Sequence, residues 1–395
     1  MDLSLKNRAQ YRRILVAAFF ILSISGCGRF WGGVSFLFSS PPSTASCPTS
    51  YKWQNVGVAG FSAGSTANTS IAIDSTSTPY VAFKDFGNGN RATVMKYSAG
   101  AWGLVGVAGF SAGIVNYIYM AIDSSGTPYV VFKDAANASR ATVMKYSTGA
   151  WGLVGLAGFS AGSANYASIA IDPSGIPYVV YSDGANGSRA TVMKFSAGAW
   201  GLVGVAGFSA GIVNDNSIAI DSSGTPYVAY LDVGNGSRAT VMKFSAGAWG
   251  NVGLAGFSAG LVAYTSIAIG STGTPFVIYS DGANGSRATV MNFSAGAWGN
   301  VGLAGFSAGA TSYTSIAIDS TGTPFVVYSD GGNGNRATVM NFSAGAWGNV
   351  GLGGFSTGSA NYTSIAIDTS GTPYAAFGDG GNGSRATVMN FSCPL

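Results

Sequence analysis

Tryptophan recurs at positions 53, 102, 151, 200, 249, 298 and 347, always 49 residues apart, and the stretch from Trp53 to Leu395 is seven whole periods without an insertion. Copies five and six differ at only seven of their 49 positions, so neighbouring units face the same packing problem with the same side chains. A unit of roughly 40–50 residues rich in strand formers cannot bury its apolar face alone. It has to stack on its neighbours, and a closed ring of blades leaves no long edge exposed.

Each unit reads as four short strands. In the first copy they are "SIAID" (70–74), "PYVAFKD" (79–85), "RATVMKYS" (91–98) and "AWGLVG" (101–106), dense in Val, Ile, Tyr, Phe and Thr. Turn chemistry supports the breaks. "DSSGTP" puts Asp at the start of a turn and Gly where a positive φ is required, "NG" lies inside "DGANGSR", and "SAG" precedes each Trp. The central strands are apolar on both alternating faces, as in sheets packed face to face. The expectation is an all-β fold: a seven-bladed β-propeller of seven 49-residue repeats, spanning residues 53–395.

The seventh copy supplies only three strands, "SIAID", "PYAAFGD" and "RATVMNFS". Its fourth is expected from Trp53–Gly57, "WQNVG", which precedes the first inner strand and has no blade of its own. Pairing the two ends closes the ring and removes an exposed edge. In the other six copies a covalent turn joins the third and fourth strands. At the seventh, Cys47 and Cys393 flank the break, so a disulfide between them is expected to stand in for the turn of an exported chain.

Residues 1–26 read as an export signal. Lys6, Arg8, Arg12 and Arg13 precede the apolar run "ILVAAFFILSISG", which is shorter than the roughly 20 residues needed to span a bilayer. The run ends in Ile24-Ser25-Gly26-Cys27, which resembles a bacterial lipobox. That likeness implies lipidation of Cys27, and Gly28 after it implies the outer membrane; an ordinary secretory signal or an uncleaved anchor is the plainer alternative. Residues 27–52, with "SSPPSTAS", read as a flexible tether. Without residues 1–26 the chain keeps 15 basic and 14 acidic groups, so bulk charge does not point to nucleic acid. A monomer is expected.

The run "IAID-SSG-TPYVVYSD-GANGSR" resembles the NHL and bacterial SBBP classes of propeller repeat, which also order an Asp-turn-Gly, an aromatic-Val strand, then Asp, Asn and Arg. This unit has a longer second strand and an extra residue before Arg than the NHL pattern, and two residues rather than one between Asp and Gly distinguish it from the sialidase Asp-box. The resemblance implies a propeller. It implies no particular activity, because such folds host many.

Several residue sets could carry function. Asp and Arg recur across one tight loop as Asp85 and Arg91, Asp134 and Arg140, Asp183 and Arg189, Asp232 and Arg238, Asp281 and Arg287, Asp330 and Arg336, and Asp379 and Arg385. Each pair is expected to form a charge-assisted hairpin clasp. A second Asp series (74, 123, 172, 221, 319, 368) is interrupted by Gly270, which favours turn capping over a concerted site. The seven Met recurring every 49 residues from Met95 to Met389 suit packing between blades, and each repeat Trp suits a cover over the outer strand. The five residues after "GFSAG" vary most, and Tyr117, Tyr166, Tyr264, Tyr313 and Tyr362 share one position there. They are expected in surface crossings on the "DGANGSR" face, either as drift or as a rim for a glycan or protein ligand.

With neither His nor Glu, no nucleophile–base pair is visible, so catalysis is not expected. One carboxylate beside an Arg makes a poor cation cage, and no metal or cofactor is expected. The favoured reading is a lipid-tethered binding or adhesion module. A structural envelope protein without a soluble ligand is the alternative, and a propeller hydrolase comes third.

Overall fold

The structure is a computed structural model that describes residues 50–394. It is all-β: seven four-stranded antiparallel sheets form the seven blades of a propeller. In the first blade the inner strand is Thr66–Ile73, followed by Pro79–Asp85, Arg91–Ser98 and the outer strand Ala101–Leu104. The next five blades repeat this order at the same 49-residue interval.

The seventh blade takes its inner three strands from Ala360–Ile367, Pro373–Asp379 and Arg385–Ser392. Its outer strand is Lys52–Asn55, which pairs antiparallel with Arg385–Ser392 in the register Trp53↔Phe391 and Asn55↔Met389. The Val56 N–H extends the ladder to Val388 O at 2.9 Å. The ends of the array therefore meet as expected. Cys27 and Cys47 lie outside the described residues, so lipidation and the disulfide remain proposals.

The core sits between blades. Val94 and Ala82 of the first blade pack with Val130 and Phe132 of the second, all with no accessible surface, and Met144 and Trp151 close the outside of that cluster. Each such Val or Phe contributes about 1.5–3 kcal/mol on burial. The same set recurs across the closing joint, where Val81 and Phe83 meet Ala376 and Val388. Each Trp also latches a crossover. Trp102 Nε1 donates to Val56 O at 2.6 Å and its ring stacks on Phe61 at 4.1 Å. Trp53 does the same to Val350 O and Phe355, so the seam is built like the other six joints.

Two glycine positions are dictated by geometry. The "DSSGTP" turns hold Gly at φ +83° in the second copy, and the first copy forces Ser77 to φ +64° at that place. In the "GFSAG" crossover, a Cβ on Gly64 would stand 2.5 Å from Gly87 N, so the crossover passes the loop of its own blade only without a side chain.

Candidate functional site

The inner strands are longer than the sequence pattern indicates, and this relocates the variable residues. The run "TANTSIAI" is one strand from Thr66 to Ile73 with a register shift between Ala67 and Ser70. At the shift Asn68 has φ +52°. The equivalent residues Tyr117, Tyr166, Asp215, Tyr264, Tyr313 and Tyr362 have φ between +50° and +55°. An αL conformation is unusual for a bulky residue, costs of order 1–3 kcal/mol, and clusters where a bulge re-aims a side chain. The expectation of surface crossings is therefore corrected. These residues belong to the innermost strands, and the bulge turns them towards the propeller axis.

There they form a broken ring. Tyr117 and Tyr166 meet at 4.8 Å between ring centroids; Tyr264 meets Tyr313 at 5.2 Å, and Tyr313 meets Tyr362 at 4.7 Å. Asp215 stands in the gap between the two aromatic arcs on one side and Asn68 on the other. Inner-strand residues from every blade line one axial cavity of about 120 Å³, and Asp215 is the one charged residue among them. The cavity lies near the loop face that was expected, since Thr66 pairs with Asp85 at the head of the loop.

Below the ring the strands present Ser70, Ser168, Ser217, Ser266, Ser315 and Ser364, but Tyr119 in the second copy. Several of these serines hold the next blade's backbone, as Ser70 Oγ does by accepting from Met120 N–H at 3.2 Å. Tyr119 instead projects its ring into the cavity wall. It keeps 43% of its surface accessible. Yet burial, followed by Asp215 and Tyr117, pushes its phenol up to about 12. Both hold because the accessible face opens onto the enclosed axial space rather than onto the outer surface. Burial, Tyr117 and Asp215 likewise push Tyr166 up to about 12.

The fourth blade departs most from its siblings. Asp215 Oδ2 accepts the Tyr264 N–H at 2.7 Å, and burial raises its carboxyl above the usual range despite that bond. Oδ1 has no donor among the described residues. Beside it Asn216 is 3% exposed, and among the described residues neither its Oδ1 nor its Nδ2 has a partner; nor do the buried Thr69 Oγ1 and Thr265 Oγ1 of other blades lining the cavity. Unpaired buried polar atoms each cost about 1–3 kcal/mol, a cost the sibling positions Thr314 and Thr363 avoid by donating to Tyr264 O and Tyr313 O of the preceding blade. The sequence signal for this was the triplet "NDN", where the third and seventh copies read "NYA" and "NYT" and no other copy places an acid.

The other sets are structural. Asp85 and Arg91 face each other in register, but the expected ion pair does not form. Asp85 is 1% exposed and its carboxylate accepts from Gly87 N–H at 3.0 Å, Asn88 Nδ2 at 2.7 Å and Thr93 Oγ1 at 2.9 Å, while Arg91 is exposed. Thr93 Oγ1 in turn accepts from Gly109 N–H, tying the loop to the next crossover. The hairpin clasp is thus Asp–Asn–Thr.

The other six blades need the same correction. Contrary to expectation, Arg140, Arg189, Arg238, Arg287, Arg336 and Arg385 do not clasp their hairpins. Each stands exposed at the first position of its strand. The carboxylates of Asp134, Asp183, Asp232, Asp281, Asp330 and Asp379 are 1% exposed and take the side-chain amide of the loop Asn instead. Local donors satisfy these buried carboxylates in six of the blades, so Arg140, Arg189 or Arg287 would have to leave water for little gain. In the fourth blade Asn235 and Thr240 hold Asp232 Oδ2, while its Oδ1 has no partner among the described residues. The second Asp series caps turns: Asp123 Oδ1 accepts from Ser125 N–H and Thr127 N–H, each at 2.9 Å. One face of each repeat Trp is covered by its Phe partner.

Fold and site together define a seven-bladed β-propeller with a polar, aromatic axial pocket. No protein-family model matches the chain, and no curated protein matches it. Among solved structures it is similar to the BP39L lectin from Burkholderia pseudomallei, with a TM-score of 0.56 and 15% identity over 84% of this chain and 99% of that one. It is also similar to an ulvan lyase of a polysaccharide lyase family, with a TM-score of 0.54 and 12% identity over 86% and 96%. A third is a puromycin-hydrolysing peptidase from Mycobacterium tuberculosis, at 0.51 and 12% over 84% of this chain and 53% of that one. At these identities the likeness is one of fold.

Proposed function

We propose that this chain is an exported propeller that binds its ligand without converting it, is tethered to the outer membrane through Cys27, and takes its ligand at the axial pocket. The observation that carries the reading is Asn216, almost wholly buried at the cavity with both amide atoms unpartnered among the described residues, next to the ring's one carboxylate. In an array of near-identical copies, symmetry alone would place the same residue in every blade, so this departure marks a site that is single and directional. The Tyr arcs offer flat faces on which a sugar or a protein side chain can lie at small entropic cost. The pocket lining holds one carboxylate rather than the pair that glycoside hydrolysis ordinarily uses, which supports binding over hydrolysis. The likeness to a lectin and to a polysaccharide lyase supports the fold but does not choose between them.

The test replaces the odd blade by its own siblings' residues. Asp215→Tyr with Asn216→Thr turns "NDN" into the "NYT" of the seventh copy, so nothing foreign to the repeat is introduced. Wild type and variant are screened against immobilised glycans and envelope proteins. Retention by wild type and loss in the variant, at unchanged thermal stability, is the expected result; equal retention of both would place the site elsewhere. For the tether, Cys27→Ser should release the chain from membranes or leave a precursor, and unchanged fractionation would remove the lipidation claim.

A further inference from the structure

The binding reading leaves the ligand's chemistry open, and the axial pocket narrows it. Resting on that reading, we propose that the group seated in the pocket is a protonated primary ammonium on an aliphatic or sugar stem. Charge comes first. Asp215 is the sole charged residue lining the cavity, so an anion is repelled and a cation is the one ligand that neutralises it. Keeping an ionised carboxylate half-buried is costly unless something pairs with it, and among the described residues nothing positively charged does so. Lys84 and Lys133, near this end of the inner strands, donate to Asn116 and Asn165 instead.

Donor count comes second. An ammonium carries three N–H donors and no acceptor. Two acceptors stand on consecutive residues of the fourth blade without a donor among the described residues: Asp215 Oδ1, whose sister oxygen takes the Tyr264 N–H, and the amide oxygen of Asn216. A quaternary ammonium would leave these acceptors unpaired. A guanidinium, planar and wider, would need two acceptors side by side on one edge. Tyr264, Tyr166 and Tyr119 line the same space, and aromatic rings attract a cation placed over their faces. Size comes third. A cavity of about 120 Å³ is smaller than the roughly 150 Å³ that encloses benzene, so it admits the tip of a ligand and not a whole disaccharide. Two natural sources share this chemistry: a lysine side chain and an amino sugar.

The experiment is calorimetric titration of the full chain at neutral pH with n-propylammonium, 1-propanol, tetramethylammonium, glucosamine, N-acetylglucosamine and Nα-acetyl-lysine amide. The expected result is binding of n-propylammonium, with 1-propanol and tetramethylammonium at least tenfold weaker. Glucosamine or acetyl-lysine amide should exceed n-propylammonium, and the tighter of the two identifies the source. Asp215→Asn should weaken the amines at least tenfold without lowering the melting temperature. Should that variant fail to fold, Asn216→Thr serves in its place with the same expected loss. Equal affinity for propanol and propylammonium, or amine binding untouched by Asp215→Asn, overturns the proposal. If N-acetylglucosamine binds and Asp215→Tyr with Asn216→Thr abolishes it, the ammonium inference fails while the axial binding site stands. If neither these probes nor the glycan and protein screen gives binding, both fail.

Discussion

The corrected clasp makes a quantitative prediction at Asp330. Its carboxylate is 1% exposed and accepts from Gly332 N–H at 3.0 Å, Asn333 Nδ2 at 2.7 Å and Thr338 Oγ1 at 3.1 Å. Asp330→Ala strands the Thr338 hydroxyl in a dry site, while the two loop donors can turn partly to water. An orphaned buried group costs about 1–3 kcal/mol and each partly exposed bond about 0.5–1.5, so the loss should be about 3 kcal/mol. Unfolding entropy of about 2.1 cal/mol/K per residue, over roughly 345 residues, gives about 0.7 kcal/mol/K and a melting shift of about 4 °C. Arg336, exposed and outside this network, should cost less than about 0.5 kcal/mol when changed to Ala, a shift under about 1 °C. Differential scanning calorimetry at neutral pH on the two single variants reads both numbers. A fall for Arg336→Ala as large as that for Asp330→Ala would restore the Asp–Arg clasp and refute the Asp–Asn–Thr network.

Three further outcomes follow from the joints and the axis. Removing residues 50–57 should expose the third strand of the seventh blade and drive aggregation, while peptide mapping without reductant should link Cys47 to Cys393; free thiols at both would end the disulfide claim. Because Tyr119 and Tyr166 are pushed up to about 12 from an ordinary 10.0, they favour the folded state fully below pH 10 and lose that contribution as pH rises towards 12. Absorbance titration of the native protein should therefore show late-ionising phenols that join the rest in urea, and a single early transition with the fold intact would contradict their enclosure.

How far the residues alone led can be traced element by element. The blade count, the closing strand and the second and third strands were legible, because a fixed period forces every copy into one geometry and strand alternation runs unbroken through "PYVVYSD" and "RATVMNFS". The first half of the inner strand was not. An αL residue at its bulge breaks the two-residue alternation, and "SANYT" then looks like a loop. The clasp was misread for a related reason. Spacing put Asp85 opposite Arg91, and the register is right, but Asp85 also caps the short 3-10 turn Phe86–Asn88. That capping swings its carboxylate inward to Asn88 and Thr93, where the longer Arg side chain cannot follow without leaving water. The axial site was visible only as one odd triplet, since sequence does not say which variable residues share an axis.

The seam has a consequence for how the molecule is assembled. Gln54 reaches across it to Ser392, 338 positions along the chain. A ribosome making this protein delivers Lys52–Asn55 first and its partner strand last, so the ring cannot shut until synthesis is complete. Six hairpins find their mates through a two-residue turn, whatever their neighbours look like. The seventh must choose among third strands of nearly the same sequence, "RATVMKYS", "RATVMKFS" and "RATVMNFS", and another chain's copy is as good a match as its own. Dilution favours the chain's own end and crowding favours a stranger's, so concentrated refolding should yield rings that exchange their closing strands head to tail.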